Sequence, residues 1–121
     1  MIGYLYIVLT IVFTVYGQLI LKWQVSQAGA LPDSTGAKIV FLLGLLLNPW
    51  IVSGFFAAFL ASLCWMAAMT KFNLSHAYPF MGLSFVLVLF GSGIFFGEAI
   101  TPMKITGTAL IVFGIIVASQ G

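Results

Sequence analysis

The chain has 121 residues, of which 63% are hydrophobic and 5% charged, with four lysines against two acids. A water-soluble domain this small exposes too much surface to hide that much apolar material, so a bilayer must solvate most of the chain. Four lysines make no basic stripe for nucleic acid. The single Cys64 excludes an intramolecular disulfide and a thiolate metal cluster, and no catalytic, phosphate-loop or metal-ligand pattern is present. The sequence therefore predicts neither an enzyme nor a cofactor or metal site.

Residues 2–23 read as a first spanning helix, since about 20 apolar residues cross a hydrocarbon core. The apolar run from Ile2 to Leu21 has no basic residues before it and exceeds the core of a secretory leader, so the helix is expected to be retained. Its polar residues Thr10, Thr14, Gln18 and Lys22 recur at i, i+4 spacing, a stripe about 18 Å long. Polar groups on a spanning helix face a bundle interior or a wet cavity. The plainer alternative has the threonines bonding back to their own helix and Lys22 reaching out to the headgroups. The continuity of the stripe, and its cationic end, favours the cavity.

Gln24 to Lys38 is the extended polar segment, rich in turn formers, and Asp33 or Ser34 is placed to cap the next helix. Residues 37–48 are apolar nearly all round but too few to cross, which predicts a short interfacial or re-entrant helix bent at Pro49. A rival reading merges it with the second spanning helix as one long kinked rod. That second spanning helix, 50–70, carries Trp50 at an interface and alanines for close packing; Ser53, Ser62 and Cys64 read as packing residues. The third, 77–97, tolerates Pro79 in its first turn, and Gly93 with Gly97 forms a GxxxG pair suited to helix contact. The fourth, 102–119, again starts on a proline and carries the small residues Thr106, Gly107, Thr108, Ala109 and Gly114. The expected fold is an all-α membrane protein, one domain over 1–121 with four transmembrane helices plus the short helix. Four helices enclose little space, so a substrate path implies a dimer.

Four crossings place Lys22, Asp33, Lys38, Glu98 and Lys104 on one face, and Lys71, Asn73 and His76 on the other. Lysine bias favours the first face as cytoplasmic, by a margin small enough to allow both orientations. Lys22 and Glu98 share a face and are within reach of pairing. The plain reading makes them interfacial anchors. The functional reading makes Lys22 a phosphate ligand and Glu98 a proton-coupling residue. His76 reads as a solvated loop imidazole and Asp33 as a turn residue.

Three pieces carry a family resemblance. They are Tyr4-Leu-Tyr6 through Gly17 to Leu21-Lys22-Trp23; Leu74-Ser-His-Ala-Tyr-Pro-Phe80; and Gly97-Glu98-Ala-Ile-Thr101 with Ile105-Thr-Gly107 and Leu110-Ile-Val-Phe-Gly114. In that order they resemble the drug/metabolite transporters of EamA-like and small multidrug resistance type. The drug and guanidinium exporters carry a membrane glutamate where this chain has Thr14, which puts cation–proton antiport in doubt. Gly17-Gln18-Leu19 with Lys22, the Ala77-Tyr78-Pro79 entry and Glu98 look more like the aminoarabinose-phosphoundecaprenol flippase subunits. That resemblance implies transport of a polyprenyl-phosphate-linked sugar across the bacterial inner membrane. It implies Lys22, Gln18, Thr14, Thr10 and Tyr78 as substrate-binding residues. The implied partners are a lipid-linked anion and a second subunit, in a homodimer, parallel or antiparallel, or in a heterodimer with a similar chain. The alternatives are a small-cation antiporter and a non-transporting membrane subunit.

Overall fold

The structure, a computed structural model, describes residues 2–121 and is helical throughout its ordered elements. Helix α1 (Ile2–Ala28) is followed by the shorter α2 (Thr35–Leu45) and by α3 (Pro49–Met69). A third crossing is built from α4 (Leu74–Ala77), a 3-10 turn (Tyr78–Gly82) and α5 (Leu83–Phe96), and α6 (Pro102–Ser119) completes the chain. Among the described residues four segments are long and apolar enough to span: α1, α3, Leu74–Phe96 and α6.

The core is the antiparallel pair α1–α3. Helix α1 buries Gly3, Ile7, Thr10, Ile11, Gly17 and Gln24, which share one face because spacings of three, four and seven return to the same side of a helix. Helix α3 answers with Ile51, Gly54, Ala57, Ala61 and Ala68. Small residues at these positions bring the backbones together, which is how helices associate in lipid, where burial of apolar surface gives no net drive. The approach is closest where a Cβ added at Gly17 would stand 3.1 Å from the Gly54 carbonyl oxygen. Toward the end of α1, the Asn48 side-chain amide donates to Gln24 Oε1 at 2.8 Å, and Trp23 meets Trp50 edge-on at 5.3 Å. At the other end Tyr4, Phe72, His76 and Phe80 stack into one aromatic cluster.

Several boundaries differ from those read off the sequence, each for a local reason. Helix α1 runs past Trp23 to Ala28, because Gln24 is buried against Asn48; Gly29, at φ 94°, follows its end. Ser34 caps α2 by accepting from the Ala37 amide at 3.2 Å. Asn48 caps α3 through the Trp50 amide at 2.8 Å, and Pro49 sits at the first helical position. These caps make α2 and α3 separate helices, against the single kinked rod. The third crossing starts at Leu74, ahead of the expected 77. Pro79 lacks an N–H, and the chain tightens there into the 3-10 turn.

Gly93 and Gly97 do not form a helix–helix contact within the chain. A Cβ on Gly93 would collide with Ile100, which folds back from the connection after α5. Gly97, at φ 65°, is the left-handed cap that ends α5.

Helices α5 and α6 are held lightly. In an apolar 18-residue stretch of each span, 6% of the residues are buried in Leu74–Phe96 and in Pro102–Ser119, against 22% in α1 and 28% in α3. Helix α6 touches the rest chiefly where Ile111 and Ile115 lie over Gly82. Helix α2 has no buried residue and carries exposed Ile39, Val40, Leu42 and Leu43, as a helix lying in an interface would.

The glycine crossing yields an asymmetric prediction. A Cβ at Gly54 meets nothing closer than 3.5 Å, whereas one at Gly17 meets unyielding backbone at 3.1 Å. Gly54→Ala is expected to leave thermal stability in detergent unchanged or slightly raised, since alanine favours helix by about 0.5–1 kcal/mol. Gly17→Leu is expected to cost about 1–3 kcal/mol by forcing the helices apart. Melting curves of the purified variants check both.

Candidate functional site

Beside the glycine crossing the same small residues leave a void. A cavity of about 570 Å³ opens between α1, α3 and the 3-10 turn. Helix α1 contributes Thr10, Thr14, Gly17, Gln18 and Leu21. Helix α3 contributes Gly54, Phe55, Ala58, Ala61, Ser62, Trp65 and Met66, and the turn adds Tyr78 and Met81. Gly17, Gly54, Ala58 and Ala61 place almost no side-chain volume in this region, so the wall is concave. The volume falls within the about 300–1,000 Å³ of ordinary small-ligand pockets.

The wall is mainly apolar, with a few uncharged polar groups set into it. Thr10 Oγ1 donates to the Tyr6 carbonyl at 2.8 Å and lies 3.5 Å from the Ala61 carbonyl. Ser62 Oγ donates to the Ala58 carbonyl at 3.1 Å. With their protons committed to the backbone, these oxygens offer lone pairs, as acceptors. Thr14 is half-buried and Gln18 exposed along the same wall. Trp65 and Tyr78 meet edge-on with centroids 6.0 Å apart on one side of the cavity. Tyr78 is 65% exposed, and its ring forms part of the rim.

Four of the five substrate-binding residues expected from sequence, Thr10, Thr14, Gln18 and Tyr78, therefore line one cavity. Lys22 does not: it is exposed and outside the wall. Helix geometry explains the split. Successive i+4 steps advance about 40° around an α-helix, so three steps from Thr10 carry Lys22 about 120° away. A cavity that follows the helix axis keeps Gly17 and Leu21 instead. Glu98 lies in the exposed connection after α5, its amide held by the Ser92 carbonyl at 3.3 Å, and is no part of the wall. No acid and no lysine lines this cavity.

The α3 side of the wall was not anticipated. Ser62, read from sequence as a packing residue, and Trp65 both face the cavity. Their shared face is marked by Ala58, Ala61, Ser62 and Trp65 at helical spacing, but spacing alone does not separate a packed face from one bordering a void.

Comparison with known proteins places this architecture. No protein-family model matches the chain, and no solved structure matches it. Curated relatives do. The chain is 30% identical to the probable 4-amino-4-deoxy-L-arabinose-phosphoundecaprenol flippase subunit ArnF of Serratia proteamaculans, over 93% of this chain and 88% of the relative. It is 32% identical to the ArnE subunit of Aeromonas salmonicida, over 91% and 90% of the two chains. It is also 32% identical to the ArnE subunit of Yersinia pseudotuberculosis serotype O:1b, over 97% and 96%. Four spanning helices and this kinship make it a multi-pass protein of the bacterial inner membrane. The aligned length is nearly the whole of each chain, so the likeness covers the α1–α3 core and its cavity together, and the chain belongs to the family of 4-amino-4-deoxy-L-arabinose-phosphoundecaprenol flippase subunits.

Proposed function

We propose that the chain is one half of a flippase that carries a polyprenyl-phosphate-linked sugar across the inner membrane. The observation that carries this is the acid-free cavity on α1 and α3, whose mainly apolar wall carries the uncharged polar groups of Thr10, Thr14, Gln18 and Ser62. An isoprenoid tail can stay in lipid while only the sugar and phosphate need a polar route. Thr10, Thr14, Gln18 and Ser62 supply hydrogen-bonding groups for sugar hydroxyls, and Trp65 with Tyr78 supplies apolar ring faces. A carboxylate in this wall would repel the phosphate strongly, because a site walled from water has a low effective dielectric constant. Thr14 stands where the cation exporters have their glutamate, and keeps the wall neutral.

Lys22 serves in this reading as a cation near the membrane surface, beyond the cavity, that attracts the phosphate as a point charge. Glu98, exposed on the same face, is the candidate for proton coupling. The antiporter reading is left without an acid in the cavity.

The second half of the transporter is a similar subunit. ArnE and ArnF are two separately named flippase subunits among the relatives. Helix α6 presents Leu110, Phe113, Ile116 and Val117 outward, and a Cβ at Gly107 or Gly114 would meet open space. A homodimer, antiparallel or otherwise, or a heterodimer with a related chain would cover this face and close the open side of the cavity.

Transport is tested in vesicles reconstituted with defined lipid-linked sugars. Thr14→Asp is expected to slow flipping about tenfold or more, with Thr14→Asn close to the parent. Equal rates for the two would remove charge exclusion from the mechanism. Lys22→Ala is expected to abolish glycan modification in cells while the protein still inserts. Glu98→Gln is expected to flatten the pH dependence of flipping, and an unaltered profile would clear Glu98 of proton coupling. No transport by purified protein, together with loss of a partner subunit on deletion, would identify a non-transporting subunit instead.

A further inference from the structure

A second polar cavity lies at the end of the bundle opposite Lys22. It holds about 420 Å³, and its polar side chains are Thr70, Lys71, Asn73 and His76. Lys71 is the cation of this wall, in contrast to the uncharged central cavity. Asn73 and His76 carry N–H groups of the kind that hold a phosphate oxygen, while the Thr70 hydroxyl is committed to the Ala67 carbonyl at 2.6 Å. Both side-chain acids of the chain lie elsewhere, Asp33 before α2 and Glu98 after α5, while the last residue, Gly121, also borders this wall.

The imidazole is fixed in place. Tyr4 Oη sits 3.3 Å from His76 Nε2, and the ring packs against Phe72 at 5.3 Å and Phe80 at 5.5 Å. Among the described residues Tyr4 is its one side-chain hydrogen-bond partner, which leaves Nδ1 for a ligand. Tyr4 and Lys71 are the titratable or charged side chains beside it, from α1 and from the α3–α4 connection. A solvated loop histidine, as the sequence suggested, needs no such aromatic setting. The short run that carries His76 also carries Tyr78 and Met81 into the central cavity wall, so one segment borders both cavities.

We propose that Lys71, Asn73 and His76 form a phosphate-binding station on the membrane face opposite Lys22, where the phosphate of a polyprenyl lipid is held next to the central cavity. This rests on the flippase reading and extends it: a substrate that crosses needs its phosphate held on both faces. The shared chemistry is a phosphate group, from a lipid or free in solution.

The chain has one histidine, so a histidine-labelled protein gives a single imidazole NMR signal. The protein in phosphatidylcholine nanodiscs is titrated with undecaprenyl phosphate, with undecaprenol, and with inorganic phosphate. The expected result is a saturable His76 shift with undecaprenyl phosphate and none with undecaprenol. Lys71→Gln is expected to raise the apparent Kd about tenfold, and Lys104→Gln to leave it unchanged. An added response to inorganic phosphate would still support the station, as one that also takes free anion. Response to inorganic phosphate alone would overturn lipid docking. No shift with either, or equal weakening by Lys104→Gln, would overturn the station. Should Lys71→Gln fail to insert, Asn73→Ala takes its place, and unchanged binding in it counts against the station. Binding is read without transport: a His76 shift with no flipping even when the chain is reconstituted with its partner subunit sinks the flippase reading alone, and flipping without a shift sinks the station alone.

Discussion

The contact on which the rest depends is the approach of two backbones at Gly17 and Gly54. Lipid tails are as apolar as leucine, so helices in a bilayer associate through packing and hydrogen bonds. Glycine facing glycine supplies the packing, and the neighbouring alanines of α3 extend it. The pair is pinned beyond the crossing at both ends: Gln24 to Asn48 near one surface, and Tyr4 in the aromatic cluster near the other. Removing side-chain volume has two effects at once. It lets the helices touch along one line, and it leaves a groove beside that line.

The chemistry of the groove is set by the groups that border it. Hydroxyls that bond back to their own helix are cheap to keep in a membrane, because no proton is left without an acceptor. The mainly apolar wall thus carries its hydroxyls at little energetic cost and still offers their lone pairs. In the proposed flippase reading, neutrality sets the kind of cargo. A carboxylate here would favour a cation, and its absence admits an anion. Charge is kept at the two ends, with Lys22 near one surface and Lys71 beside His76 at the other. That distribution suits a molecule whose phosphate is handled at the surfaces and whose sugar crosses the middle.

The outer helices have a different relation to the core. Pro79 and Gly97 bracket the third crossing with a tightened turn at one end and a left-handed cap at the other. Between them α5 touches α1 around Leu19 and Gly91. Helix α6 rests on Gly82 through two isoleucines and turns most of its surface outward. A crossing held by so few contacts suits a protein completed by a second subunit.

Much of the fold was legible in the sequence, since bilayer thickness converts an apolar run directly into a crossing. The number of spans, the short helix before Pro49 and the cap at Ser34 all come from residue type and order. So does the exclusion of enzyme-like motifs. The i+4 stripe correctly marked Thr10, Thr14 and Gln18 as sharing a face, because that geometry is internal to one helix. Tertiary structure alone decided the rest. Whether Lys22 faces the cavity depends on the direction the groove takes across α1, which α3 dictates. Ser62 and Trp65 acquire their place only when α3 is set against α1. Gly93 and Gly97, a contact motif by spacing, became a clearance for Ile100 and a helix cap. His76 became the fixed wall of a second cavity. Each of these belongs to a relation between segments far apart in the chain, and local sequence records one side of such a relation at a time.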